Sequence, residues 1–262
     1  TTYTTLKIKL FSFFYVRNIM IIFVVPYRDR EQQKQFFDKQ MHTEIMKTFT
    51  VDVDYRILYI HQCDERMFNR GAMKNIGFLV VKELYPDTYK SITLVFNDVD
   101  VMPYTSDFLD YDTSQGVVKH FYGYKHTLGG IVSIKAGDFE SVNGFPNYWA
   151  WGFEDNLFLN RVNSRALTVD RSSFYPIYDK NILLLIHDFH RQLSPNEMIL
   201  NKTHKLADGI TDIKNLKYDI QSGRSVNVLV TSFETKFKEP DDVRMQDSRK
   251  TIPNTMRFTM KH

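Results

Sequence analysis

Strand-like and helix-like stretches alternate through the first hundred residues of the chain. Three segments have the length and apolar content of buried strands, and they lie at 21–26, 54–62 and 91–96. The segments between them carry good helix formers or apolar residues at helical spacing, and the predicted helices cover 30–47 and 73–84. This alternation predicts an α/β fold with a mostly parallel, Rossmann-like sheet, flanking helices and right-handed crossovers.

A parallel sheet brings the carboxyl ends of its strands to one edge, and ligands of such folds bind there. Pro26, His61 and Asp98 end or follow predicted strands, so we expect them along that edge. The sequence therefore predicts a ligand site beyond the carboxyl ends of the first three strands.

The second half of the chain has a less regular pattern. After residue 110 it contains short strands, turns and aromatic-rich loops, and a helix is predicted over 155–163. We expect a lead-in over 1–19, a single domain over 20–235 and a polar tail over 236–262.

Composition narrows the functional classes. The 34 basic and 31 acidic residues give a net charge of only +3, so no nucleic-acid face is expected. The apolar stretches are shorter than the roughly 20 residues of a membrane helix, so no clear membrane span is predicted. Cys63 is the single cysteine, which excludes an internal disulfide framework. These features favour a cytosolic setting, microbial or viral, over the secretory lumen.

Two polar clusters follow apolar, strand-like runs. Asp98 and Asp100 come directly after the third predicted strand, where two carboxylates can face a hard divalent cation. The alternative for this pair is an Asx-type turn. His187, Asp188 and His190 end the second run and offer imidazole ligands, with ordinary surface polarity as the alternative.

The segment "NGFPNYWAWGFEDN", residues 143–156, holds both tryptophans, a glycine hinge and an acidic pair. It resembles the acceptor-binding and catalytic segment of the β-1,4-galactosyltransferase family, glycosyltransferase family 7. Further segments resemble the same family in the same order: "VPYRDRE" (25–31), "HQCDERMFNR" (61–70), "FNDVD" (96–100), "LGGIVSIK" (128–135) and "DGITDIKNLKYDI" (208–220).

This resemblance implies a GT-A fold and a metal-dependent, inverting transfer of galactose or N-acetylgalactosamine from a UDP-sugar to a hydroxyl of an acceptor glycan. The implied cofactor is Mn²⁺, with Mg²⁺ as the alternative. Asp155 matches the catalytic base, and Glu154 matches a residue that helps to hold the acceptor sugar. Without the resemblance, both would be assigned to the favourable interaction of acidic residues with a helix N-terminus.

The resemblance also implies the metal ligands. Asp100 matches the metal-binding aspartate, whereas Asp98 is expected to face the donor. His187 and His190 compete for the remaining ligand positions. We prefer the alignment that assigns His190 to the family histidine, because His187 then becomes a second ligand, while the other alignment puts Leu184 there.

The remaining implied site residues bind the two substrates. The donor-binding residues are Pro26, Tyr27, Arg28, Arg30, Phe68, Arg70, Asp98, Val99, Thr127 and Gly130. The acceptor-binding residues are Trp151, Gly152, Glu154 and Asp155. Two positions depart from the family pattern: Phe153 replaces a usual glycine, and Thr127 replaces a bulky tyrosine of galactose-specific members. The smaller Thr127 predicts room for an acetamido group on the donor.

Two other functions fit parts of the pattern. The first is a binding module that holds a nucleotide sugar or a glycan with little or no catalysis. The second is a metal phosphohydrolase that uses His187 and Asp188, although that class usually builds its site on helices. The acceptor and the oligomeric state are not encoded in any motif that we recognise.

Overall fold

The computed structural model describes residues 19–50, 53–185, 190–203 and 208–247. The first half of the chain forms the predicted alternation of strands and helices. Its elements are β1 (Ile19–Tyr27), α1 (Glu31–Gln40), β2 (Val53–Gln62), α2 (Arg70–Leu84) and β3 (Thr93–Asn97). The helix predicted over 30–47 is α-helical only as far as Gln40, and a π-helical turn and a 3₁₀ turn complete it.

The second half consists of short elements, as its pattern predicts. They are β4 (Val101–Pro103), β5 (Val117–Gly123), β6 (Ile131–Lys135), α3 (Ala136–Ser141), α4 (Glu154–Ser164), β7 (Thr168–Asp170), β8 (Tyr175–Pro176), β9 (Ile182–Leu184), β10 (His190–Leu193), α5 (Pro195–Thr203), β11 (Lys214–Gln221), β12 (Val226–Glu234) and β13 (Arg244–Asp247). The helix predicted over 155–163 lies within α4.

A mostly parallel sheet forms the centre of the domain. Its strand order is β11-β12-β2-β1-β3-β6-β5-β7, with β8 beside β5. The neighbours β12, β2, β1 and β3 run parallel, and β6 is antiparallel to both β3 and β5. The α/β fold class is confirmed. The pairing of the β11–β12 hairpin with β2 was not predicted.

Strand β1 is buried on both faces, because helices cover both sides of the sheet. Ile22 and Val24 belong to the core that also contains residues of α2. Ile21, Phe23 and Val25 belong to the core on the α1 side. Successive side chains of a strand point to opposite faces, so a central strand requires an unbroken apolar run.

Helix α2 begins at the carboxyl edge of the sheet. The side chain of Asn69 caps it by accepting a hydrogen bond from the amide of Ala72 at 2.8 Å. About two turns after the cap, a Cβ atom on Gly77 would lie 2.3 Å from Cγ1 of Val24, so only glycine allows the helix to pack this closely on β1. The cap and this close approach fix the first turn of α2 at the edge where ligands are expected.

Part of the polar tail predicted from residue 236 belongs to a second, small sheet. In that sheet β13 pairs antiparallel with β10. Within the described residues, none of the helices combines the length and the apolarity needed to cross a membrane.

A buried ion pair fixes the tryptophan-bearing segment against α4. Arg161 and Asp208 lie 2.7 Å apart, with side chains 1% and 0% exposed. The second carboxylate oxygen of Asp208 accepts a hydrogen bond from the amide of Asn147 at 2.8 Å. Arg161 also donates to the carbonyl oxygen of Gly144 at 2.7 Å. The pair therefore connects α4, the loop before it and the segment leading to β11.

We predict that Asp208→Ala lowers the free energy of unfolding by about 3–5 kcal/mol, because it leaves the Arg161 guanidinium buried without its carboxylate. Chemical denaturation measures this change. The exposed Asp87→Ala is the matched control and should change stability by less than about 0.5 kcal/mol. Equal effects of the two substitutions would contradict the role assigned to the ion pair.

Candidate active site

Charged side chains meet at the carboxyl edge, between β1 and β3. The chain crosses from β1 to β2 on one side and then returns past β1 to β3, so this edge is a topological switch point. Asp98 and Asp100 follow β3, Arg70 opens α2, and Glu154 and Asp155 open α4. The structure thus brings together residues that are far apart in sequence.

Arg70 bridges two of the carboxylates. Its Nη1 atom lies 3.2 Å from Oε1 of Glu154, and its Nε atom lies 3.9 Å from Oδ1 of Asp98. Burial disfavours its charge, but these carboxylates outweigh that effect and raise the pKa of Arg70. Arg70 therefore stays charged and links the start of α4 to the loop after β3.

Asp155 is held by two polar contacts and packs against a glycine. Lys74, one turn after Arg70 on α2, lies 3.0 Å from its Oδ1 atom. Its backbone oxygen accepts a hydrogen bond from the amide of Leu128 at 3.0 Å. A Cβ atom on Gly129 would lie 2.1 Å from its Oδ2 atom, so glycine is required beside the carboxylate. Burial is the main reason that the pKa of Asp155 is raised to about 6.

Asp100 lies in a similar electrostatic environment. Burial, together with the nearby carboxylate of Asp98, raises its pKa to about 6, whereas Arg70 and Arg30 act in the opposite direction. Its backbone oxygen accepts a hydrogen bond from the amide of Leu185, which follows β9, at 2.8 Å. The run that leads to His187 and His190 in sequence therefore passes beside Asp100.

These carboxylates fit a divalent cation in chemical type. Oδ1 of Asp98 is buried and accepts no hydrogen bond from any described residue, and two close carboxylates favour a shared positive charge. Within the described residues, however, no three side chains among His, Cys, Asp and Glu form a cluster that could hold a metal. His190 is exposed and pairs with Asp247 in the β10–β13 ladder, and His187 lies outside the described residues.

An aromatic ring between two arginines forms one wall near this edge. The guanidinium carbons of Arg28 and Arg70 each lie 5.5 Å from the centroid of the Phe68 ring. Arg28 also donates a hydrogen bond to the backbone oxygen of Arg66. Predicted donor-binding residues from two strand ends thus form one surface.

Residues at the end of β1 lie at the same sheet edge as the Phe68 wall. Pro26 is buried in the sheet, and Tyr27 packs edge-to-face on His61 with ring centroids 4.7 Å apart. The Tyr27 hydroxyl donates to Oε2 of Glu31 at 2.6 Å. Arg30 donates to the backbone oxygen of Asp29 at 3.0 Å, and its charge partly opposes the rise in the pKa of Asp100.

The loops after β3 and before β6 contain the other predicted donor-binding residues. Val99 is buried in the α1-side core, so only its backbone is available to a donor. The backbone oxygen of Gly130 accepts a hydrogen bond from the amide of Asp98 at 3.1 Å, and Gly130 has a φ of +75°. Thr127 is 8% exposed, and its hydroxyl donates to the backbone oxygen of Tyr124.

The loop over 149–153 carries the exposed tryptophan. The Trp151 side chain is 45% exposed, and its amide donates to the backbone oxygen of Gln192 at 2.7 Å. Gly152 has a φ of +110°, and a Cβ there would meet no atom within 4 Å. Phe153 has a φ of +69°, which costs a side-chain-bearing residue about 1–2 kcal/mol. A phenylalanine therefore occupies a backbone conformation that suits glycine.

Trp149 and Glu197 hold the base of this loop. Trp149 is buried and stacks on Phe233 with ring centroids 5.5 Å apart. The carboxylate of Glu197, on α5, accepts hydrogen bonds from the amides of Trp149 at 2.9 Å and Ala150 at 2.8 Å. The base of the loop is therefore fixed, whereas Trp151 and Gly152 project outwards.

Comparison with known families identifies the origin of this arrangement. Residues 16–112 match the family model described as the N-terminal region of glycosyl transferase group 7. Residues 116–184 match the model described as the N-terminal domain of galactosyltransferase. The chain belongs to glycosyltransferase family 7.

Individual family 7 proteins resemble the chain over most of its length. It is 29% identical to the xylosylprotein 4-β-galactosyltransferase of Caenorhabditis elegans over 80% of this chain and 74% of that protein. It is 28% identical to β-1,4-galactosyltransferase 1 of Bos taurus over 77% of this chain and 51% of that protein. The chain thus spans only about half the length of the bovine relative.

A solved family 7 structure has the same fold. The catalytic domain of Drosophila β-1,4-galactosyltransferase 7, in complex with xylobiose, matches with a TM-score of 0.65 and 25% identity. The match covers 81% of this chain and 94% of that one. A mutant of that enzyme, in complex with manganese, UDP-Gal and xylobiose, matches with a TM-score of 0.65. The predicted GT-A fold is confirmed.

Two residues that hold this candidate site together were missed by the sequence analysis. Lys74 lies on an apolar helix face, and only the three-dimensional fold shows that it reaches Asp155. Glu197 lies in the first turn of α5, where an acidic residue is ordinary. Helical periodicity could have flagged Lys74 as a buried charge, but no pattern identifies its partner.

We predict that Glu197→Ala lowers the free energy of unfolding by about 2 kcal/mol or more, because two buried amides lose their acceptors. Hydrogen exchange at Trp149 and Ala150 should accelerate more than exchange in the sheet. The exposed Glu65→Ala is the control. Unchanged exchange at both amides in Glu197→Ala would refute the anchoring role.

Proposed function

We propose that this chain is a metal-dependent, inverting glycosyltransferase that transfers galactose or N-acetylgalactosamine from a UDP-sugar to a hydroxyl of an acceptor glycan. One observation carries the proposal. In a family 7 fold, the partly buried carboxylate of Asp155 is held beside Lys74, at the same sheet edge as Asp98 and Asp100. A carboxylate with a purely structural role would not need a buried lysine beside it and two further carboxylates at the same edge.

Asp155 has the properties of a general base. A base works best when its pKa is near the working pH, and burial raises the pKa of this carboxyl to about 6. In the proposed step, the acceptor hydroxyl gives its proton to Asp155 as its oxygen bonds to the anomeric carbon. The bond from that carbon to the diphosphate oxygen breaks, and its electron pair leaves with UDP.

Glu154 and Trp151 are proposed to bind the acceptor. Glu154 adjoins the base, and its Oε2 atom is buried and makes no hydrogen bond to a described residue. Such an atom can accept a hydrogen bond from a sugar hydroxyl. The exposed ring of Trp151, with Gly152 beside it, offers an apolar face for a sugar ring.

The two arginines around Phe68 are proposed to bind the nucleotide. A guanidinium can both stack on a flat ring and pair with a phosphate, and Arg28 and Arg70 lie on the ring of Phe68 at equal distances. Pro26, Tyr27 and Arg30 extend this surface from the end of β1. The bound diphosphate would then face the carboxylates of the switch point.

We propose Asp100 as the first ligand of Mn²⁺, with Mg²⁺ as the alternative, and His187 and His190 as candidates for the others. The buried Oδ1 atom of Asp98, together with the effect of the Asp98 carboxylate on the pKa of Asp100, supports a cation site. When bound, such a cation neutralises the charge that develops on the leaving diphosphate. Asp98, already paired with Arg70, is proposed to contact the donor.

Some sequence-based expectations stay predictions. They include the division of the chain into a lead-in, a domain and a tail, and the cytosolic setting, which rests partly on the single Cys63. A binding module is the second candidate function, and Phe153 favours it because a side chain at this φ restricts the loop. Binding of UDP with metal but without turnover would support that alternative.

We predict metal-dependent release of UDP from UDP-galactose, stimulated by an acceptor sugar and lost on addition of EDTA. Asp155→Asn should reduce the rate by at least about 100-fold, because it removes the base. The rate should rise with pH as Asp155 ionises near pH 6. Asp87→Asn is the control, and an unchanged rate in Asp155→Asn would exclude the proposed base.

The same assay with UDP-N-acetylgalactosamine tests the donor pocket. We predict that both donors are used, because Thr127 is smaller than tyrosine. Thr127→Tyr should lower the rate with UDP-N-acetylgalactosamine more than the rate with UDP-galactose. An unchanged ratio of the two rates would show that this position does not set donor choice.

Titration with Mn²⁺ tests the metal ligands. We predict that Asp100→Asn and His190→Ala each weaken Mn²⁺ binding, because a lost ligand typically costs more than about tenfold in affinity. His42→Ala is the control, since His42 contacts Ser225 at 2.9 Å and is no candidate ligand. If His190→Ala keeps the original affinity and His187→Ala does not, the alternative alignment is correct.

A further inference from the structure

A lysine lies beneath the proposed base, on its protein-interior side. Lys74 is 2% exposed, and its Nζ atom is 3.0 Å from Oδ1 of Asp155. On another side the ammonium lies 4.3 Å from the centroid of the Phe145 ring. Asp155 is the only hydrogen-bond partner of the Lys74 ammonium among the described residues.

Burying an ammonium group is costly unless a partner compensates for its lost hydration. At this position of α2 an apolar residue would fill the space at no electrostatic cost, since the helix face around it is apolar. The lysine therefore requires an explanation beyond packing. Its single carboxylate partner is the residue to which we assign proton transfer.

The charges around Asp155 come from three elements. Lys74 and Arg70 lie on α2, Glu154 lies on α4, and Asp98 follows β3. Glu154 and Asp98 disfavour the ionised form of Asp155, as burial does. Arg70 is engaged by both of these carboxylates, which leaves Lys74 as the cation in direct contact with the base.

The two carboxylate oxygens of Asp155 have different surroundings. Oδ1 is bound by Lys74, whereas Oδ2 packs against Gly129, 2.1 Å from where a Cβ atom would stand, and accepts no hydrogen bond from the described residues. A quarter of the Asp155 side chain, 25%, remains exposed, whereas only 3% of the Lys74 side chain does. The lysine thus approaches from inside and does not block access from solvent.

From this geometry we infer that Lys74 is a positioning residue that keeps Asp155 ionised and fixes Oδ1, so that Oδ2 receives the proton of the acceptor hydroxyl. The inference rests on the proposed function, because it concerns the same site. It gives a residue other than Glu154 and Asp155 a part in the proposed sugar transfer. Once Asp155 is protonated, the ion pair becomes an ordinary hydrogen bond, and loss of the proton restores it.

The first test is the pH dependence of turnover in Lys74→Met, which removes the charge but keeps the chain length. An opposite charge at this distance lowers a carboxyl pKa by about one to three units. The acid limb of the rate profile should therefore move upwards by that amount, with a loss between about twofold and about 90-fold at pH 7, depending on the size of the shift, and recovery at higher pH. Lys82→Met is the matched control, because Lys82 lies on the same helix and pairs with Glu140 at 2.6 Å.

The second test does not depend on turnover. The titration of Asp155 is followed by carbon NMR of labelled aspartate and assigned with Asp155→Asn. It should occur near pH 6 in the unchanged chain, at higher pH in Lys74→Met and close to the original value in Lys74→Arg. An absence of turnover in the unchanged chain would refute the proposed function, while the NMR titration would still decide whether Lys74 sets the ionisation of Asp155.

An Asp155 titration that is the same in Lys74→Met and the unchanged chain overturns the inference. So does a shift in Lys74→Arg as large as that in Lys74→Met, because the charge would then not be the cause. If Lys74→Met does not fold, Lys74→Gln takes its place in both tests. A uniform loss of rate at all pH values, with no shift of the profile, would indicate a merely structural role and also contradicts the inference.

Discussion

Repulsion between carboxylates is the constraint on which this structure depends. Asp98, Asp100, Glu154 and the proposed base approach one another at a single sheet edge, where each disfavours the charge of its neighbours. The first two turns of α2 supply the balancing cations. Arg70 serves as a bridge and the buried lysine below it as a direct partner. The register of α2 against β1 therefore sets the electrostatics of the site as well as the packing of the core.

The aromatic loop depends on a second layer of buried polar groups. Asp208, Arg161 and Glu197 bind backbone atoms of the segment that leads to α4, and each comes from a different element. Such groups are costly to bury unless every hydrogen bond is made. The result is a loop whose base is held by buried hydrogen bonds and whose tip carries the exposed ring of Trp151.

Local pattern predicted the strands β1, β2 and β3, helix α2 and the sheet edge, because an apolar run and helical periodicity are properties of neighbouring residues. Motif resemblance predicted the family and the acidic residues of α4. The β11–β12 hairpin was missed because its pairing with β2 joins residues far apart in sequence. The contact between Lys74 and its carboxylate was missed for the same reason, since it joins α2 to α4. The left-handed conformation of Phe153 was missed because a residue with a side chain rarely adopts it, so the sequence alone does not indicate it.

The outermost strand of the described sheet has a further physical consequence. β11 has no neighbour on its outer side in that sheet, and it carries charged side chains at Lys214, Lys217 and Asp219. An edge strand offers unpaired backbone groups to any other strand, and charges along it oppose such pairing. The β11–β12 hairpin therefore forms one edge of the sheet, and the charges on β11 limit aggregation of the folded chain through that edge.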